Sequence, residues 1–205
     1  MAQPPLEITA SRLVAVEGID EVNFLGALAS ARNLDNIQFL PVAGKNSFQP
    51  RLEATVLLPG FAQVTSLGVI RDADDDANAA FQSIQHVLTT VGLGVPDKPL
   101  ELTTSSPTIG VYIMPGGNAL GTLEDLCLSS MVDDAAFSCM EQYFECLQPD
   151  KLFPDSQSGK AKVHAFLASR EKPDLRLGES ALAGFWPWTS GAYDDIVDFL
   201  ASLPT

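Results

Sequence analysis

Acidic residues follow two apolar stretches of the chain, and their types and spacing suit the binding of a divalent cation. Glu17 comes directly after the apolar stretch 13–16. Asp72 and Asp74 begin an acidic run just after the apolar stretch 62–70. Carboxylates held close together repel each other unless a cation neutralises them, and oxygen ligands suit a hard ion. We therefore predict that Glu17, Asp72 and Asp74 bind Mg²⁺, for which Mn²⁺ could substitute.

Spacing within the acidic run separates candidate ligands from structural residues. Asp72 and Asp74 lie two positions apart, so in an extended segment their side chains project to the same side. Asp75 projects to the other side, and Asp76 is placed to cap the following helix or to make an outer contact. Asp20 is predicted to cap the helix after Glu17, or to be a second outer contact. A run of acids after a strand is also commonly a turn plus a helix cap.

Short apolar runs alternate with segments of helical periodicity, which predicts an α/β fold with a mostly parallel central sheet and helices on both faces. Ligands of such sheets bind outside the carboxyl ends of the strands, so neighbouring strands would bring the acids together. We expect one domain over 1–205, with its core at about 10–130 and a helical carboxyl-terminal part at about 131–205. Strands are predicted at 13–16, 37–42, 62–70 and 109–114, a turn at 44–47, and helices at 21–31, 48–58, 77–91, 123–130, 134–147, 160–169 and 192–203.

The charge balance bears on binding partners. Among 205 residues there are 26 acidic and 12 basic ones, giving a formal net charge of -14. Such a field repels polyphosphate at long range, so non-specific nucleic-acid binding by the whole surface is not expected. Six of the 12 basic residues nevertheless fall in one stretch: Lys151, Lys160, Lys162, Arg170, Lys172 and Arg176. They could form a local patch that binds nucleic acid, or a solvated helix face.

The cysteines and the apolar runs bear on the compartment. Cys127, Cys139 and Cys146 are odd in number and lack Cys-x-x-Cys spacing, so free thiols in a reducing environment are favoured over disulfides or zinc. No apolar run reaches the roughly 18 residues that cross a bilayer. The first residues show no basic and apolar secretory signal. We therefore expect a cytoplasmic protein without a membrane partner.

The acidic motifs resemble those of the Toprim domain, which occurs in topoisomerases, bacterial primases and the OLD-family (overcoming lysogenization defect) nucleases. The resemblance rests on Val16-Glu17-Gly18-x-Asp20 after the first strand and Asp72-x-Asp74 after a later one. The wider pattern is similar to a small stand-alone Toprim-related family of unknown function, DUF3226. The segments that carry it are 67–74, 110–115, 121–126 and 159–162.

This resemblance implies Mg²⁺-dependent phosphodiester cleavage or phosphoryl transfer on nucleic acid. Glu17 would be a metal ligand or general acid/base, and Asp72 and Asp74 would hold Mg²⁺. Glu124 resembles a further acid of OLD-type nucleases that could serve a second ion. Lys160 or Lys162 would neutralise the charge that develops on the phosphate.

Two other functions are compatible with the same residues. The first is a non-catalytic Toprim-like scaffold in a defence or repair complex with a protein partner. Phe185, Trp186 and Trp188 motivate it as exposed aromatic candidates, because Trp is enriched at interaction hot spots. Packing of Trp186 and Trp188 between the carboxyl-terminal helix and the sheet is the structural alternative. The second is a small-molecule phosphohydrolase in which Asp72 is the nucleophile.

Overall fold

Four strands form one parallel sheet at the centre of the molecule. The computed structural model describes residues 7–42, 44–148, 154 and 157–205. The sheet has the order β2-β1-β3-β4, and every neighbouring pair is parallel. Its strands are almost continuously apolar because helices cover both faces. They are β1 (Arg12–Val16), β2 (Ile37–Pro41), β3 (Ser66–Asp72) and β4 (Thr108–Met114).

Helices connect the strands and form the carboxyl-terminal part. Two 3₁₀ turns, Phe61–Gln63 and Gly191–Tyr193, precede β3 and the last helix. In the described part of the chain the α-helices are α1 (Ile19–Ala31), α2 (Gly44–Val56), α3 (Ala77–Thr90), α4 (Leu123–Ser129), α5 (Ala135–Leu147), α6 (Ser158–Leu167), α7 (Leu177–Leu182) and α8 (Asp194–Ser202).

The alternation of side chains along β1 divides the core into two layers. Leu13 and Ala15 pack with α2 and α3 on one face of the sheet. Val14 and Val16 pack on the other face with α1 and with buried residues of α4 to α8. Because one apolar cluster joins the carboxyl-terminal helices to the sheet, those helices are anchored directly over β1 and β3. The predicted α/β fold with helices on both faces is confirmed.

Some element boundaries differ from the predictions. Helix α2 begins at Gly44, so the predicted turn at 44–47 is wrong. Small polar residues are typical of turns, but they are also favoured at the start of a helix. Phe48 and Leu52 are buried, and they pack α2 against its face of the sheet. Strand β3 begins at Ser66, because 61–63 form a 3₁₀ turn, and it extends to Asp72. The short helix α7 was not predicted.

The tryptophans are structural rather than exposed. Trp186 is only 3% exposed, and its indole Nε1 donates a hydrogen bond of 2.9 Å to Ser180 Oγ. Its ring packs on Phe24 of α1 and stacks on Phe166 of α6. Trp188 is half-buried, 5.2 Å from the Phe24 ring. The packing alternative is therefore confirmed for Trp186 and Trp188, and their rings fasten the segment before α8 onto α1 and α6.

The structure also bears on the predictions about membrane-spanning helices, cysteines and the basic patch. No helix in the described part of the chain is both long and apolar enough to cross a bilayer. The three cysteines are free thiols, of which Cys127 is buried and Cys139 and Cys146 are exposed. Lys151, the first member of the predicted basic patch, lies outside the described residues.

Candidate functional site

Asp72 lies at the carboxyl edge of the sheet and joins it to α4. It is the last residue of β3, and its Oδ1 accepts a hydrogen bond of 3.0 Å from the backbone N of Leu123. Leu123 is the first residue of α4, where backbone N–H groups lack partners within the helix. The carboxylate therefore satisfies one of these donors and brings Glu124 of α4 beside the end of β3.

A turn in the backbone separates Asp74 from Asp72. Asp74 has a φ of 49°, in the left-handed region. It pairs with Gly121 through two backbone hydrogen bonds. Asp74 N donates to Gly121 O at 2.9 Å, and Gly121 N donates to Asp74 O at 3.0 Å. The segment is not extended at this point, so the expectation that both carboxylates project to one side of a strand is wrong. Asp74 instead lines a cavity of about 400 Å³ together with Gly121 and Lys162.

Glu17 lies beside a buried arginine. β1 and β3 are neighbours that pair Ala15 with Val69, and the same register continued by two residues places Glu17 level with Arg71. The Nε atom of Arg71 is 3.5 Å from Oε1 of Glu17. Arg71 is 5% exposed, and its Nη1 also donates to Ser83 Oγ at 3.4 Å. An internal cation thus offsets part of the negative charge at this edge.

The predicted acids lie within electrostatic reach of one another. The pKa of Asp72 is raised well above the usual aspartate range, first by burial and then by the charges of Glu17, Glu21, Glu124 and Asp74. We call these five residues the acidic cluster. The fold therefore brings Glu17, Asp72, Asp74 and Glu124 into one neighbourhood, as the strand order requires.

Glu21 belongs to this cluster and was not among the predicted site residues. It is partly buried in the first turn of α1. Its pKa is raised first by burial and also by Glu17, Asp20 and Glu124, while its own backbone N–H opposes the shift. The sequence signal that could have revealed Glu21 is its position four residues after Glu17.

Asp20 and Asp76 have the following structural contacts. The predicted N-cap role of Asp20 is wrong, because α1 already begins at Ile19. Asp20 Oδ1 instead accepts a hydrogen bond of 3.0 Å from the backbone N of Gly178, which fastens α7 to α1. Asp76 is the N-cap of α3 and accepts from Ala79 N at 2.9 Å, so the predicted cap is confirmed.

Helix α4 begins with a capping box between Thr122 and Asp125. The backbone N of Thr122 donates to Asp125 Oδ2 at 2.8 Å. The hydroxyl of Thr122 donates to Glu124 Oε2, also at 2.8 Å. The hydroxyl therefore holds the Glu124 carboxylate near the start of the helix, on the side of Asp72.

The two predicted catalytic lysines line different cavities. Residues two positions apart on a helix project in divergent directions. Lys160 lines a cavity of about 350 Å³ with Glu21 and Glu124. Lys162 lines the cavity of Asp74, where its Nζ is 2.8 Å from Glu141 Oε1. Lys160 is therefore the lysine that shares a cavity with two members of the acidic cluster.

Ion pairs divide the predicted basic patch. Lys162 is paired with Glu141, and Arg170 Nη2 lies 2.7 Å from Asp134 Oδ1. The guanidinium of Arg170 also lies 4.1 Å from the centroid of the Phe166 ring. These two cations therefore fasten α6 and the segment that follows it to α5, and they do not form one continuous basic surface with Lys160.

The carboxylates are gathered but not arranged as a finished metal cage. Across 7–42, 44–148, 154 and 157–205, no three His, Cys, Asp or Glu side chains could hold a metal ion as they stand. The donor set nevertheless fits a hard cation, since it is all carboxylate oxygen and its centre, Asp72, has its charge opposed by burial and by four like charges. Binding would require the side chains to turn inward around the ion.

The fold and the site define an α/β domain that gathers carboxylates at the carboxyl edge of a parallel sheet. The chain belongs to the family described as Protein of unknown function (DUF3226), whose profile matches residues 11–205. No curated protein matches it. The profile match confirms the predicted DUF3226 family, whereas the assignment to the Toprim superfamily stays a prediction.

Two solved structures with the same fold are similar over nearly the whole chain. The C-terminal region of the Xanthomonas campestris pv. campestris OLD protein is 15% identical, with a TM-score of 0.51 over 93% of this chain and 94% of that one. The C-terminal region of the Burkholderia pseudomallei OLD protein is 17% identical, with a TM-score of 0.50 over 94% and 98%. At these identities the likeness concerns the fold, and it confirms the predicted link to OLD proteins at that level.

Replacing Asp72 tests whether its buried negative charge destabilises the folded protein. Because the folded state holds the proton of Asp72 more tightly than the unfolded state, the free energy of unfolding falls as pH rises from the ordinary aspartate range through the raised pKa. In EDTA at neutral pH, Asp72→Asn should therefore stabilise the protein by about 1 kcal/mol, an ordinary magnitude for a single substitution. The new amide oxygen can still accept from Leu123 N. Urea unfolding measures the change in stability, and Asp75→Asn, at an exposed position, is the near-neutral control. If Asp72→Asn is less stable than the wild type, the Asp72 charge does not destabilise the folded state.

The turn that carries Asp74 can be tested at Gly121. Gly121 has a φ of 131°, and an added Cβ would lie 2.6 Å from Asp125 Oδ2. Gly121→Ala should therefore cost about 1–3 kcal/mol of stability, typical of strained backbone. Gly117→Ala is the matched control, since Gly117 has a φ of 58° and nothing within 4 Å of an added Cβ. Thermal unfolding that ranks Gly117→Ala as the more damaging change would refute this interpretation.

Proposed function

We propose that this protein is a Mg²⁺-dependent enzyme that cleaves phosphodiesters or transfers phosphoryl groups on nucleic acid. The observation that carries the proposal is Asp72, whose raised pKa reflects burial and four neighbouring carboxylates. A cluster of this kind is stabilised when a divalent cation neutralises it. The resemblance of the Glu17 and Asp72-x-Asp74 motifs to those of OLD-family nucleases supports nucleic acid as the substrate.

The acidic cluster supplies more oxygen ligands than one ion needs. Mg²⁺ usually keeps several waters and binds through one or two carboxylates plus substrate phosphates. A preassembled cage of three protein ligands is therefore not required for this metal. We assign Asp72, Asp74 and Glu17 to one ion, and Glu124 with Glu21 to a second ion or to its waters.

Chain residues supply the remaining chemistry. When bound, Mg²⁺ would polarise the phosphate and lower the pKa of a coordinated water. Arg71 holds Glu17 beside β3, where the Glu17 carboxylate is placed to accept a proton or to bind the ion. Lys160 opens on the cavity of Glu21 and Glu124, where its charge would stabilise a phosphate that gains negative charge. We therefore prefer Lys160 over Lys162, which is ion-paired with Glu141.

A non-catalytic scaffold in a defence or repair complex is the second candidate. The Arg71–Glu17 contact favours it, because an internal cation already offsets part of the charge that a metal would otherwise neutralise. The net charge of -14 also disfavours unaided contact with nucleic acid. Co-purification from the native host decides between the two, since a stoichiometric partner without turnover supports the scaffold.

The third reading, a small-molecule phosphohydrolase, requires Asp72 to attack phosphorus as a charged carboxylate. Its raised pKa weakens that role, because burial and like charges favour the protonated form. A phosphorylated Asp72 trapped with substrate and seen by mass spectrometry would support this reading over metal-dependent cleavage of nucleic acid.

Cleavage assays test the leading proposal. Purified protein with Mg²⁺ or Mn²⁺ should cut at least one of single- or double-stranded DNA or RNA, and EDTA should abolish the cut. Glu17→Gln and Asp72→Asn should each lower the rate at least about 100-fold, because each removes a ligand or a proton acceptor. Gel analysis of labelled substrates measures the rate.

Glu171→Gln serves as the control, because Glu171 is exposed and lies outside the acidic cluster. It should cleave at the wild-type rate. If wild type, Glu17→Gln and Asp72→Asn all show the same activity, any nuclease signal is a contaminant and the enzymatic proposal fails.

A further inference from the structure

The cavity that Asp74 and Lys162 line is separate from the cavity of Lys160. It is enclosed by residues of α4, α5, α6 and the turn after β3. Its volume of about 400 Å³ falls within the range of about 300–1,000 Å³ that is typical of small-molecule sites. Asp74 belongs both to this cavity and to the acidic cluster, so a ligand bound here would lie beside the proposed ion.

Acidic side chains outnumber basic ones around this cavity. Its charged lining residues in the described part of the chain are Asp74, Asp75, Asp125, Glu141 and Lys162. Four carboxylates and one ammonium repel an anion such as phosphate. A neutral ligand that donates N–H groups meets hydrogen-bond acceptors instead.

The rest of the lining includes an apolar wall. Leu128 is buried and Phe137 is partly buried, and both pack in the core cluster of the carboxyl-terminal helices. Leu120 is 60% exposed and is available to cover a ligand at the same wall. A flat ring system with an apolar face and a polar edge suits this combination, since bases stack on aromatic and apolar side chains. The wall therefore favours a nucleobase over an aliphatic amine.

The ion pair of Glu141 and Lys162 gives the polar side of the cavity a defined pattern. Lys162 Nζ lies 2.8 Å from Oε1 and 3.0 Å from Oε2 of Glu141. A carboxylate has about four lone-pair sites and an ammonium has three donors, so both groups keep capacity for a ligand. The pair thus presents two acceptor oxygens beside one N–H donor.

We propose that this cavity binds a guanine base, whose Watson–Crick edge is recognised by Glu141 and Lys162. Guanine has two adjacent donors, N1–H and the 2-amino group, next to the acceptor O6. The two oxygens of Glu141 accept from both donors, and Lys162 donates to O6. The other common bases do not place two N–H donors side by side on this edge. The inference rests on the proposed function for nucleic acid as the ligand, and it adds which base is recognised.

Nucleosides test the cavity without metal or turnover. Guanosine, inosine and adenosine are titrated into ¹⁵N-labelled protein in EDTA, and amide shifts report each affinity. Inosine lacks only the 2-amino group, and adenosine has an acceptor where guanosine has N1–H. Guanosine should bind at least tenfold more tightly than either, because a site built for two donors is left with an unpaired acceptor by the other two ligands. The shifted amides should include those of Gly121 and Ser129, which line the cavity.

Variants of the ion pair separate recognition from damage to the fold. Glu141→Gln should weaken guanosine at least tenfold and reduce its preference over inosine to less than twofold, because the amide keeps one acceptor oxygen. Lys162→Gln should weaken guanosine and inosine alike, because both carry O6. Glu145→Gln is the matched control, since Glu145 is exposed on the same helix and does not line the cavity, and it should change the affinity less than twofold.

Three results would overturn the guanine site. They are the absence of guanosine binding, equal affinity of the wild type for guanosine and inosine, and an unchanged preference for guanosine in Glu141→Gln. A general loss of structure in a variant would lower the affinity for both nucleosides without changing their ratio, so the ratio reports recognition itself.

The two proposals fail separately. Metal-dependent cleavage without a preference for guanosine would leave the enzyme intact and remove the guanine site. Guanosine binding that depends on Glu141, together with absent cleavage, would remove the enzyme and keep the guanine site.

Discussion

The repulsion among carboxylates at the carboxyl edge of the sheet is the constraint on which the account of this protein depends. Asp72 is fixed at the end of β3 by the strand and by its hydrogen bond from Leu123 N. Glu17 and Glu124 are fixed nearby by Arg71 and by the hydroxyl of Thr122. Each of these contacts holds a charge near other like charges, which is costly in a partly buried setting. A structural role alone offers no reason to collect these acids where ligands of parallel sheets bind.

The surrounding structure limits that cost in three ways. Arg71 supplies a buried positive charge on the face of the sheet that packs against α3. The backbone N–H groups of Leu123 and Gly178 each take one carboxylate oxygen, from Asp72 and Asp20. Lys160 lines a cavity together with Glu21 and Glu124, so a positive charge is available beside these two carboxylates. The protein itself therefore neutralises part of the negative charge at this edge of the sheet.

Much of the fold could be predicted because strands and helices leave clear patterns in the sequence. The apolar stretch before Glu17 and the one before Asp72 are parallel strands, and their adjacency brings the two acids to one edge. Glu21 was missed because α1 was taken to start at that residue, whereas it begins at Ile19 and turns Glu21 toward the cluster. The burial of Trp186 depends on Phe24 and Phe166, which are distant in sequence, so local pattern could not reveal it. The divergence of Lys160 and Lys162 likewise depends on how α6 is rotated against α4 and α5.

The central claim, that the acidic cluster binds a divalent cation, is tested most directly by an anomalous-scattering map from a Mn²⁺-soaked crystal. We predict a peak within coordination distance of a carboxylate oxygen of Asp72, with Glu17, Glu21, Asp74 or Glu124 completing its ligands. A map without a peak at this edge, with Glu17 still paired to Arg71 at saturating Mn²⁺, would contradict the claim.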